Sequence, residues 1–192
     1  MKTVRLLQIL ILALILGSCQ NPFRPTLRDI SSATILTRNP EELLRNLEKA
    51  YQEKNINIFK QLLHPNYRFE LLQSEYSSIG VDMDGDGFRD SWWGFDEEIE
   101  LTRNMFERGS SDGSYPVADD IDLRLNIPPQ ELWELDAAEG REHWIIIPCY
   151  FDLTLTYYSS NSSYVANGVA RFYLVEEAGS WQIRIWRDES LL

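Results

Sequence analysis

The sequence predicts an α+β fold, with helices first and a long antiparallel sheet after them. Apolar residues recur at helical spacing over residues 40–63 and again over 95–108, whereas from Ile121 onward the apolar period is two. At 192 residues, with 44% hydrophobic and 25% charged side chains, the chain has the composition of one globular domain and not of a collagenous, disordered or disulfide-stapled protein. Its 18 basic residues face 30 acidic ones, a net charge of −12, and no basic run lies outside the first residues. Nucleic acid, which rewards clustered Lys and Arg, is therefore not an expected partner.

Taken in order, Pro40 starts a helix, Glu41 and Glu42 favour its N-terminus, and Leu43, Leu44, Leu47, Ala50 and Tyr51 form its apolar stripe. Asn55 breaks it, Ile56, Ile58, Phe59, Leu62 and Leu63 give a short second helix, and His64-Pro65-Asn66 ends that one. Tyr67 to Leu72 alternates as a strand. After the Asp- and Gly-rich loop, residues 80–91, Trp92 and Trp93 precede a third helix, Phe95 to Arg108, with Ile99, Thr102, Met105 and Phe106 on one face. Ile121, Leu123, Leu125 and Ile127 then alternate with polar neighbours until Pro128-Pro129 stops the strand. His143 to Tyr158 is the longest strand, carrying Ile147, Cys149, Phe151 and Leu153 on one face and Trp144, Tyr150 and Asp152 on the other. Turns at Ser159–Ser163 and Ala178-Gly179 fold Tyr164–Val175 and Trp181–Arg187 back into a meander. Strict alternation puts Trp181 and Trp186 on opposite faces, with Trp181 in the core.

The first 18 residues have the layout of a secretory signal: Lys2 and Arg5 lead an apolar run from Leu6 to Leu16, too short to span a bilayer. Leu16-Gly17-Ser18-Cys19 resembles the lipobox of bacterial lipoproteins, which implies that Cys19 is acylated and that the protein is anchored to a membrane. Each buried methylene of such acyl chains is worth roughly 0.8 kcal/mol. Gln20, and no Asp, follows the cysteine, which by the enterobacterial sorting rule implies the outer membrane facing the periplasm. Removing residues 1–18 takes the net charge from −12 to −14. Residues 19–39, with Pro22, Pro25 and no periodicity, read as a flexible tether spanning roughly 25 Å, and residues 40–192 as one domain. Cys149 is then left without a disulfide partner, as a buried bystander.

The run from Pro40 through Asn55 and Phe59 to Leu63-His64-Pro65-Asn66-Tyr67-Arg68-Phe69, together with the ending Gly179-Ser180-Trp181-Gln182-Ile183-Arg184-Ile185-Trp186, resembles the nuclear-transport-factor-2-like superfamily, which includes SnoaL-like and ketosteroid isomerase-like domains. The resemblance implies a curved sheet wrapped round helices as a cone with one open mouth. Such folds host enzymes, ligand carriers and assembly modules alike, so function must come from the site.

Asp82-Met83-Asp84-Gly85-Asp86-Gly87-Phe88-Arg89-Asp90 alternates carboxylates ahead of a glycine, the pattern with which a short loop surrounds calcium with oxygens. Asp82, Asp84 and Asp86 fall at loop positions 1, 3 and 5, the Phe88 carbonyl at 7 and Asp90 at 9, resembling EF-hand-like and thrombospondin type 3 loops. Trp93 stands where the last acidic ligand belongs, and Asp96 or Glu97 could replace it only with altered geometry. An Asp/Gly-rich surface turn is the alternative. A calcium ion there would be a structural staple and not a catalytic centre.

Catalysis of the ketosteroid isomerase type needs a carboxylate beside an apolar pocket and an acidic hydrogen-bond donor. Tyr51, Glu70 and Asp152 are the residues the sequence offers for it, each with a plainer role: Tyr51 in the core, Glu70 toward solvent, Asp152 outward or paired with Arg171. His64 and His143 lack partners at zinc-ligand spacing, and no nucleophile or phosphate motif is present. Trp92 and Trp93 cannot both bury easily, so one of them is a candidate to roof the cone's mouth or face an envelope protein, with ordinary burial under the inserted loop as the plainer role. The expectation is thus a lipid-anchored, non-catalytic module for a small apolar ligand or a protein partner, with the carboxylate enzyme as the alternative.

Overall fold

The computed structural model describes residues 35–72, 82, 85–110 and 113–190. The expected signal segment, Cys19 and Asp84 lie outside them. Helix α1 (Pro40–Gln52) begins where Asn39 accepts a hydrogen bond from the Glu42 amide at 2.8 Å, and Glu42 in turn accepts one from the Arg38 amide at 2.8 Å. Helix α2 (Ile56–Leu62) is capped by Asn55, which accepts from the Asn57 and Ile58 amides. Strands β1 (Leu63–Glu70) and β2 (Trp92–Gly94) follow. Helix α3 (Phe95–Arg103) runs on into a π-helical turn, Asn104–Arg108. Strands β3 (Asp120–Asn126), β4 (Glu134–Leu135), β5 (Ile145–Tyr157), β6 (Ser162–Glu177) and β7 (Ser180–Asp188) complete the chain.

The sheet runs β2-β1-β7-β6-β5-β3, with β4 paired to β5. It is strongly curled and the helices pack into its hollow. All pairs are antiparallel except β1 with β7, so the sheet is mixed where the sequence suggested only antiparallel pairing. Leu43, Leu47, Phe59, Leu123, Ile147 and Phe172 are fully buried between helices and sheet. Shortening one such Leu to Ala costs about 2–5 kcal/mol. Cys149 sits unpaired in this core, where burial pushes its thiol up to about 12 and leaves it inert. Ile35–Arg38, at the end of the expected tether, lies along the start of β7, where the Trp181 amide donates to the Thr37 carbonyl at 2.9 Å.

One expectation fails for a definite reason. Trp186 is buried against Phe172 on the core side, the same side as Trp181. Tyr173 pairs with Ile185 and Leu174 with Ile183, so Arg184 is an extra residue with no partner across the ladder. This β-bulge resets the alternation of β7: Arg184 and Ile185 both face outward, and Trp186 turns inward.

Candidate functional site

Inside the hollow of the sheet lies a cavity of about 310 Å³, walled by apolar side chains including Phe69, Leu101, Met105, Phe151 and Trp186. Two carboxyl groups line it, the half-buried Asp188 of β7 and Glu98, which is only 6% exposed. The local sequence explains its position. Gly94 precedes α3, and the Glu97 carboxylate accepts from the Gly94 amide at 3.1 Å, which fixes the first turn of the helix. Glu98, Thr102 and Met105 then stand at i, i+4 and i+7 on one stripe facing the cavity. Alternation along β2 sends Trp93 to the same side, stacked on Phe69 with ring centroids 4.4 Å apart.

The Trp93 indole N–H donates to Glu98 Oε2 at 2.6 Å, and the Thr102 hydroxyl donates to Oε1 at 3.3 Å. Burial nevertheless raises the Glu98 carboxyl from 4.5 to about 7, against the opposing pull of Trp93, Thr102 and the nearby Tyr67 hydroxyl. Burial, and then the nearby Glu98 charge, hold the Tyr51 and Tyr67 hydroxyls well above the ordinary tyrosine range, so both stay neutral donors. Tyr51 meets Phe59 and Phe106 edge-on and borders the cavity. The Tyr67 hydroxyl, buried beside the same carboxyl, makes no well-formed hydrogen bond. At neutral pH Glu98 can therefore either give or take a proton in an apolar enclosure lined with neutral donors.

Of the carboxylates expected here, neither lies in the cone. Glu70 alternates with the inward Phe69 and so faces outward, where Arg187 donates to it at 2.7 and 3.0 Å. Asp152 is exposed on the outer face of β5 opposite Arg124 on β3, and Arg171 pairs instead with Glu134 and Glu189 at 3.0 and 3.2 Å. Tyr51 does reach the cavity. Trp92 and Trp93 divide between the faces: Trp93 joins the cone, and Trp92, 43% exposed, carries the Arg68 guanidinium 4.1 Å from its ring centroid. In the acidic loop Asp82 accepts from the Gly85 and Gly87 amides at 2.8 and 3.0 Å, and Asp86 accepts from the Phe88 amide. Phe88 exposes its ring, and Asp90 is half-buried between the exposed Arg89 and Ser91. The described residues include no cluster of three or more metal-ligating side chains. His64 contacts Glu177 at 3.0 Å, away from the cavity.

No protein-family model and no curated protein matches the chain. Solved structures do. A candidate aromatic ring hydroxylase from Novosphingobium aromaticivorans aligns with 79% of this chain and 86% of its own, at 13% identity and a TM-score of 0.53. A candidate scytalone dehydratase from the same organism gives 79%, 81%, 10% and 0.53. A type 2 hexachlorocyclohexane dehydrochlorinase gives 79%, 82%, 8% and 0.51. At these identities the likeness shows the fold alone, a strongly curled sheet with helices packed against it.

Proposed function

We propose that this protein is a lipid-anchored component of the bacterial cell envelope, held at the outer membrane through Cys19, whose cone binds a small apolar molecule carrying one polar group. The observation that supports the binding role is the buried carboxyl of Glu98 in a mostly apolar cavity of about 310 Å³ whose other carboxyl, Asp188, is only half-buried. Protonated, Glu98 donates to a carbonyl or ether oxygen of the ligand. Apolar walls provide the affinity, and the carboxyl provides orientation. Calcium in the loop formed by Asp82, Asp84, Asp86, Asp90 and the Phe88 carbonyl is the structural part of the same proposal.

The test uses α-tetralone, an apolar ketone, titrated into the full chain in a non-ionic detergent. Binding should be saturable, should weaken about tenfold per pH unit above pH 7 as Glu98 loses its proton, and should lose that pH dependence in Glu98→Gln. Binding that is independent of pH and of residue 98 refutes the role given to Glu98.

A second reading is favoured by one observation, the position of the Glu98 carboxyl near neutrality. Two of the structurally similar proteins bear the names of a dehydratase and a dehydrochlorinase, and an enzyme in this cone would use Glu98 as the base that takes a proton from carbon. Deuterium entry from solvent at the carbon beside the tetralone carbonyl measures this directly. Exchange faster with the wild type than with Glu98→Gln supports catalysis, and equal exchange leaves the cone a binding site.

A further inference from the structure

The outer face of the sheet, opposite the cone, concentrates arginines in a chain that carries a net charge of −12. Two of them are neutralised: Arg187 by Glu70, and Arg171 by Glu134 and Glu189. Three others converge on a groove of about 860 Å³ without that compensation. Arg68 lies 4.1 Å from the Trp92 centroid, and Arg141 and Arg184 lie 4.9 and 5.7 Å from the same Trp144 centroid. Neither Arg68 nor Arg184 forms an ion pair among the described residues, and Arg141 has only Asp136 at 3.7 Å. Burial first, and then the neighbouring charges of Arg141 and Arg68, lower the Arg184 guanidinium, with the smaller effect of Glu177 opposing them.

Ile185 and Trp144 line the groove and pack with the buried Ile146 and Tyr173 behind them, which gives it an apolar side. The bulge in β7 puts Arg184 and Ile185 side by side on this face. Lys60, which also reaches over the Phe95 ring, adds a fourth cation. Asp96 and Glu97 border the α3 end, where the Glu97 carboxylate is already engaged by the Gly94 amide. The lining is thus net positive, four cations against two carboxylates, within an acidic protein. Guanidinium groups laid on indole faces keep their N–H edges free in plane, the geometry for paired hydrogen bonds to carboxylate or phosphate oxygens.

We propose that this groove is a second binding site, for a small organic anion with two or more carboxylate or phosphate groups on a flat ring. The arginines take the anionic oxygens, and the ring lies against the apolar side between Trp92 and Trp144. The groove and the cone's cavity share no lining residue.

Calorimetric titration of the full chain in a non-ionic detergent tests it, with benzene-1,3,5-tricarboxylate as the ring polyanion and inorganic pyrophosphate as the ringless one. The tricarboxylate should bind saturably and more weakly as sodium chloride is raised. Arg68→Ala, Arg141→Ala and Arg184→Ala should each weaken it about tenfold or more, the loss of one charge-assisted contact. Arg184→Lys, which keeps the charge and loses the paired geometry, should fall between Arg184→Ala and wild type. Glu98→Gln should leave it unchanged. Pyrophosphate bound as tightly as the tricarboxylate overturns the role of the ring. Absence of saturable binding, or binding indifferent to all three arginines in variants that melt as the wild type does, overturns the site.

Discussion

Replacing Glu98 by glutamine should change how stability depends on pH, and the structure sets both sign and size. In the folded protein the carboxyl titrates near 7, and in the unfolded chain near 4.5. The folded state therefore holds a proton that the unfolded state releases, so this group's contribution is complete below pH 4.5, is lost as pH rises through about 7, and is constant above that. The interval corresponds to about 3 kcal/mol. The glutamine side chain of the variant does not titrate. Its single carbonyl oxygen cannot match both Trp93 and Thr102 as well as the two oxygens of the carboxyl group do, a loss of about 1 kcal/mol. Glu98→Gln should thus be about 1 kcal/mol less stable than wild type at pH 4.5 and about 2 kcal/mol more stable at pH 8. Urea unfolding followed by tryptophan emission, with the two proteins compared at each pH so that other titrations cancel, measures the difference. A difference that stays constant from pH 4.5 to 8 would refute the account of a buried carboxyl raised by desolvation.

Two further outcomes follow from packing and from the acidic loop. A Cβ at Gly168 would overlap the Oγ and Cβ of Ser190, so Gly168→Ala should displace the C-terminal residues from β6 and lower stability by about 1–2 kcal/mol. Adding Ser190→Gly should restore most of this in denaturant unfolding, and no recovery would place the clash elsewhere. Calcium at millimolar concentration should raise the melting temperature of the wild type and not of Asp84→Ala, Asp86→Ala, whereas an unchanged wild-type melt would reduce the acidic loop to a turn.

The layout of the fold was legible because helical and alternating spacings are enforced by burial on one face. The stripe Leu43, Leu44, Leu47, Ala50 and Tyr51 is the buried face of α1, and Ile121, Leu123 and Leu125 are the buried side of β3. The bulge was not legible, since nothing in Ile183-Arg184-Ile185 marks an unpaired residue, and alternation carried past it misplaces Trp186. The sequence signal for Glu98 is present but masked by its acidic neighbours. Asp96, Glu97 and Glu98 together resemble the solvated acidic first turn that helices favour, yet Glu98 stands four residues before Thr102 and seven before Met105, both on the expected inner stripe. The pairing of Arg171 with Glu134 and Glu189 and not with Asp152 depends on β4 and the C-terminal residues crossing nearby, which local spacing does not encode.

Arg184 is supernumerary to the ladder it belongs to. Were it deleted, Ile183 and Ile185 would stand on successive rungs, and Trp181, Ile183 and Trp186 would keep their places along the cone wall without any shift of register. The strand thus carries one residue that its pairing does not require, and that residue projects a guanidinium onto the reverse of the sheet. Inner cavity and outer groove are separable by this economy: a single codon added or lost can build or erase a charge on one surface while the other is left in frame.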